Sequence, residues 1–166
     1  MAAKKKYKPK AFESTGTSSD VSANIYKSMI MSDAWNDLTK NQRLLYVYCK
    51  SCYYGQKDPY KKSLFKDMGM EVPSDVQPFF SLTEGSIKNH WKLYSNVNSF
   101  YADRDALIMH GFIRVVADGH LMRKANIYQF SSKWTKYGTK DFKIDYNEMS
   151  SRLRRKEVKL KRLSQN

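Results

Sequence analysis

Cysteine is nearly missing from this chain. Only Cys49 and Cys52 occur among 166 residues, so a disulfide framework is not expected. Histidine is equally scarce, with three residues scattered at positions 90, 110 and 120. Cys49-Lys50-Ser51-Cys52 has C-x-x-C spacing, but a structural zinc site needs four ligands and no second pair exists. Both thiols also fall on the apolar stripe of a helix, so they read as core residues. There is no Gly-rich phosphate loop, no H-E-x-x-H and no G-x-S-x-G, and no acid pair is placed by a motif. Neither catalysis nor a metal or cofactor is expected. Long apolar runs are absent too, which excludes a bilayer span. The basic start, Met1-Ala2-Ala3-Lys4-Lys5-Lys6, is not followed by an apolar stretch, so no secretory leader is expected and the setting reads as cytoplasmic.

What the chain has instead is positive charge. Thirty Lys and Arg stand against sixteen Asp and Glu, a formal net charge of +14. Hydrophobic residues at 41% and aromatics at 14% describe a globular composition rather than a disordered one. A strongly basic globular chain implies an anionic partner, nucleic acid first and an anionic membrane surface second. The excess concentrates at the ends. Residues 1–24 hold five Lys and two acids, and read as a basic flexible arm. Residues 25–138 carry sixteen bases and ten acids, the mixed surface of an ordinary domain. Residues 139–166 carry nine bases and four acids, a basic C-terminal extension with helical character over 145–163.

Inside the domain the signals alternate. Ser32 caps a helical turn over 32–38. Thr39 with Gln42 forms a capping box, opening a helix that runs to about Tyr54 and stops at Gly55. Leu45, Tyr48, Cys49 and Cys52 make its buried stripe. Residues 55–78 are Lys-rich and broken by prolines. They read as a surface insertion with a short helix near 63–68. Residues 78–82 read as a strand. Thr83 then caps a helix over 84–93, Tyr94-Ser95-Asn96 makes a turn, and a second helix spans 97–110 with Gly111 as its C′ residue. The β-branched run 112–116, the turn signal Asp118-Gly119-His120 and the strand 126–130 form a hairpin.

A helix–turn–helix followed by a two-stranded wing is the order of a winged helix-turn-helix, an α+β fold. The stretch from Trp35 to Gly55, SFYADRDALIMHGFIRVV at 99–116 and KANIYQFSSKW at 124–134 resemble winged-helix proteins of Gram-positive plasmids and conjugative elements, of the replication-initiator or transfer-associated kind. That resemblance covers about half the chain and implies double-stranded DNA binding in replication or transfer, in company with other replication or transfer proteins. A transcriptional repressor uses the same module.

On this reading the helix over 97–110 meets the major groove. Asn98 can pair an adenine edge, Ser99 a base or phosphate, and Ala102 allows close approach or touches a thymine methyl. Lys88, Asn89 and Lys92 on the preceding helix suit phosphate contacts, and Ser95 and Asn96 sit at the amino end of the recognition helix. His120, Arg123 and Lys124 form a basic wing tip. Arg152, Arg154, Arg155 and Lys156 in the tail extend the footprint, unless the tail serves oligomerisation through Leu153, Leu160 and Leu163 or is merely solvated. Each of these groups has a plain alternative as solvated surface. Arg104 falls on the apolar face and is expected to snorkel or pair an acid. Asp103 and Asp105 flank the proposed DNA face and would repel phosphate unless paired, which keeps open an interaction module for an acidic protein partner. RNA binding through exposed tyrosines is a further alternative. Homodimer formation is open.

Overall fold

The computed structural model describes residues 23–52, 61–71, 79–90 and 92–164. Most of the basic arm, the helix stop at Gly55 and parts of the 55–78 stretch lie outside the described residues. Two short helical turns, α1 (Lys27–Ile30) and α2 (Asp33–Asn36), lead into α3 (Lys40–Ser51). Next come α4 (Lys61–Asp67), β1 (Phe79–Ser81), a π-helical turn over Ser86–His90, α5 (Val97–Met109), β2 (Ile113–Ala117) and β3 (Ile127–Phe130). The chain ends in α6 (Ser151–Leu163). The fold is mixed α+β, with one antiparallel sheet in the order β1-β3-β2.

The caps form where the sequence places them. The Ser32 hydroxyl accepts from the Trp35 amide, and the Thr39–Gln42 capping box closes in both directions. The helix end moves: α3 stops at Ser51, with Cys52 as its C-cap. Its buried stripe is rotated as well. Tyr46, not Tyr48, is buried with Leu45 and Cys49. The reason is aromatic: the Tyr46 ring lies 5.9 Å from Trp35, 5.2 Å from Phe112 and 5.8 Å from Phe130, centroid to centroid. Burial drives the Cys49 thiol well above its ordinary pKa and pushes Cys52 up to about 12. Both cysteines are free thiols.

The helix expected over 84–93 is shorter and wider. Thr83 caps it as expected, its hydroxyl accepting from the Ser86 amide at 3.1 Å. The turn then widens, and the Leu93 amide donates to the Ile87 carbonyl. Gly85, Asn89 and His90 are weak helix formers, and Lys92 takes a left-handed φ of 52° that redirects the chain into α5. At the far end of α5, Gly111 has φ 77°. Its amide donates to Ile108 and the Phe112 amide to Leu107, which is a Schellman closure. A Cβ at Gly111 would stand 2.7 Å from the Trp134 nitrogen, so the segment after β3 packs against this turn only with glycine there.

The hairpin turn expected at 118–120 is instead a longer loop. A 3-10 turn at His120–Met122 and a left-handed Arg123 occupy it. The Gly119 amide donates to the Asn126 side chain, and the Lys124 amide donates to the Gly119 carbonyl at 2.9 Å. A Cβ on Gly119 would sit 2.4 Å from the Lys124 carbonyl oxygen, so the loop folds this tightly only around glycine.

The sheet buries both faces. Val115, Tyr128 and Phe80 are cross-strand partners and join the main core with Leu45, Ile87, Phe100, Leu107 and Ile108. On the other face Phe79, Ala117 and Ile127 pack with Phe65 and Met68. The stretch read as a surface insertion is therefore not purely surface, because Phe65 of α4 is fully buried and its ring meets Phe79 edge-on at 5.0 Å. Phe65→Ala is expected to destabilise the chain by about 3–5 kcal/mol in urea unfolding. A change within about 0.5 kcal/mol, as for a surface site, would mean that α4 is only an appendage.

Candidate nucleic-acid interface

The candidate site begins at a buried charge. Arg104 and Asp105, adjacent on α5, are 6% and 4% exposed. The Arg104 Nη2 donates to Asp105 Oδ1 at 2.6 Å and its Nη1 to the Tyr128 hydroxyl at 3.4 Å. Burial alone would lower the Arg104 pKa, but the Tyr128 hydroxyl and the Asp105 carboxylate outweigh it and hold the group charged. The expected pairing of Arg104 with an acid is thus present. The expectation that Asp105 flanks an outer face is corrected: its carboxylate points into the protein, where the Ser150 hydroxyl also donates to it at 2.8 Å. Asp103 is half-buried and engaged, accepting from Gln42 and from the Tyr94 hydroxyl. Neither acid is left as an open repellent to an anion.

This cluster seats α6. Ser150 is the α6 N-cap, accepting from the Leu153 amide while donating to Asp105. The Arg152 Nε stands 3.6 Å from Asp105 Oδ2, an oxygen with no hydrogen-bond partner of its own among the described residues. Asp118 completes the seat. Its carboxylate accepts from the Ser151 amide at 3.0 Å and from Arg154 at 2.7 Å. A carboxylate at a helix N-terminus is favoured by the exposed amides there. Just upstream, Glu148 accepts from Arg114 and Lys133 and fastens the segment to the sheet. Leu153 packs on the main core, but Leu160 and Leu163 are exposed, so the leucine seam contacts the core only at its start.

Above the buried cluster lies a cleft of about 650 Å³. Asn98 from α5, His120, Arg123 and Lys124 from the loop between β2 and β3, and Arg152 and Arg155 from α6 all line it. The structure thus brings together six candidates spread over nearly sixty positions. The others lie apart. Ser99 and Ala102 are exposed and line a second groove with Thr39, Lys40, Asn41 and Asp103. Arg154 borders a third with Tyr146, Val158, Lys159 and Arg162, where Arg155 joins it. Lys156, Asn89, Lys92 and Ser95 are exposed. Asn96 is committed to the fold, its side-chain oxygen capping α5 through the Asn98 amide at 2.8 Å. The Lys88 side chain lies outside what the structure describes.

Sequence reasoning missed the contributions of Tyr101, Tyr128, Asn126 and Asp118 to this cleft. Asp118 carries a signal, being an acid just past a strand, but Asp118-Gly119-His120 reads first as a turn. Among the described residues no three His, Cys, Asp or Glu side chains gather as a metal site, and no helix is long and apolar enough to cross a membrane. Comparison with protein-family models, curated proteins and solved structures gives no match. The resemblance drawn from residues 35–55, 99–116 and 124–134 therefore stands on those residues alone.

Burial would raise the Asp118 pKa, but the His120 amide, Arg154 and the Ser151 amide overcome it and hold the carboxyl below its ordinary 3.8. Its share of stability is therefore present above pH 3.8 and is lost as pH falls through the lowered value. Asp118→Asn is expected to lower the thermal midpoint at neutral pH. The gap from wild type is expected to narrow on acidification below that point, as read by circular dichroism. A gap that stays constant with pH would mean that the carboxylate does not anchor α6.

Proposed function

We propose that this chain is a sequence-specific double-stranded DNA-binding protein of winged-helix type. The recognition helix is α5, the wing is the β2–β3 loop, and α6 is a basic flank. The observation that carries the reading is the convergence of Asn98, Arg123, Lys124, Arg152 and Arg155 from three separate elements on one face. The order of elements supports it. A short helical turn precedes α5, a two-stranded ladder follows, and β1 pairs with β3. The charge supports it too, since a net +14 supplies the counterion-release affinity that duplex binding uses. With Asp103 and Asp105 both engaged inside the protein, the main argument for an acidic protein partner weakens.

Within this reading Asn98 and Ser99 read base edges, whereas Arg123, Lys124, Arg152 and Arg155 hold phosphates. The quoted resemblance favours replication or transfer of a mobile element as the setting. Repression of transcription is the second setting for the same module.

The test is selection from a random duplex pool across a salt series. An enriched motif is expected to survive moderate salt. Arg123→Ala with Lys124→Ala is expected to weaken all duplexes about equally and to reduce the salt slope by about 1–2. Asn98→Ala with Ser99→Ala is expected to flatten the motif while nonspecific affinity stays within about twofold. Binding that enriches nothing and disappears with salt would overturn the specific reading.

A further inference from the structure

The cleft has a size and a lining that a duplex does not explain. At about 650 Å³ it falls in the range of small-ligand pockets. A duplex laid across these bases meets them with its phosphates and leaves its paired bases outside the cleft. Its lining is strongly cationic and includes Phe100, Tyr101 and Tyr128, of which only Tyr101 is partly exposed. Two acids, Glu84 and Asp118, also line it, but Asp118 is neutralised by Arg154, and the bases outnumber the acids. Arg104, although buried, also lines the cleft. Of the five N–H groups on a guanidinium, Arg104 uses three, on Asp105 and Tyr128. That leaves one N–H on each of Nη1 and Nη2 without a hydrogen bond among the described residues. Its carbon also sits 4.9 Å from the centroid of the Tyr101 ring, so a fixed cation and a flat ring occupy one spot.

A fixed cation, a basic rim and one partly exposed ring match a ligand that joins an anion to a planar heterocycle. We propose that the cleft takes one unpaired nucleotide, its phosphate against the rim formed by Arg123, Lys124, Arg152 and Arg155 and its base on the ring of Tyr101. The proposal rests on the reading that this basic face meets nucleic acid, and it names which part of the nucleic acid enters. A nucleotide can come from two sources: a free mononucleotide, or an unpaired end or junction of a strand. Base–aromatic stacking tolerates sequence, so this contact adds a preference for strand structure beside the base-edge readout of α5.

The experiment measures affinity of the full chain for a blunt duplex and for the same duplex with a short single-stranded tail. Displacement by a deoxynucleoside monophosphate and by inorganic phosphate is measured alongside. The tailed duplex is expected to bind about tenfold tighter. The mononucleotide is expected to remove that advantage at concentrations where phosphate does not. Tyr101→Leu is expected to erase the tail preference and Tyr101→Phe to keep it, read in each variant as the ratio of tailed to blunt affinity. Should Tyr101→Leu fail to fold, the wild-type titrations with mononucleotide still decide. Equal affinity for tailed and blunt duplex, with no mononucleotide effect, overturns the cleft proposal and leaves the duplex reading intact. Phosphate acting as well as mononucleotide overturns it as well, marking an anion site without a base pocket. Mononucleotide binding that depends on Tyr101, without binding of any duplex, upholds the cleft and removes the duplex reading. If neither nucleotide nor duplex binds, both readings fall.

Discussion

The arrangement of this protein depends on one buried carboxylate. Asp105 holds Arg104 on its own helix and accepts from Ser150 at the start of α6, while Arg104 reaches across to Tyr128 on β3. An ion taken from water costs several kcal/mol unless partners surround it. The three elements are therefore tied to one point, because separating any of them leaves a charge or a hydroxyl without its partner. Such pairs add little net stability over an apolar replacement of the same shape. What this one fixes is geometry, since Arg104 reaches both Asp105 and Tyr128 only where α5 lies alongside β3.

That geometry turns a basic composition into a basic face. Scattered over a surface, thirty Lys and Arg would give only diffuse attraction. Seating the start of α6 on Asp105 and Asp118 brings Arg152 and Arg155 opposite Arg123 and Lys124. Asp105 pairs with Arg104 and stands 3.6 Å from Arg152, and Asp118 pairs with Arg154, while Arg123, Lys124 and Arg155 make no ion pair among the described residues. Buried acid thus organises exposed base.

Elements with strong local chemistry were legible from sequence. The Thr39–Gln42 box, the Ser32 cap and the Gly111 closure each depend on a few neighbouring residues, and each stands where the residues place it. The misses in the core and at the candidate site involve distant partners. Tyr46 displaces Tyr48 from the core because Phe112 and Phe130 meet it, more than sixty positions away. Phe65 reads as part of a surface insertion because its partner Phe79 lies beyond two prolines and the end of its own short helix. At the candidate site the basic residues were legible as charges, but the cleft that gathers some of them was not. Asp105 looked exposed on a helical wheel because the tail that covers it begins forty positions later. Periodicity places a side chain on a face and is silent about what arrives to cover that face.

The two cysteines give the molecule a built-in reporter. The reactive species of a thiol is the thiolate, and burial keeps Cys49 and Cys52 protonated in the folded chain. Cys49 sits on α3 in the main core, and Cys52, the C-cap of α3, packs partly buried against that core. A thiol reagent therefore reaches the fully buried Cys49 only when α3 has opened, and its alkylation rate becomes a clock for that opening. Any ligand that tightens the fold will slow the clock without touching either sulfur.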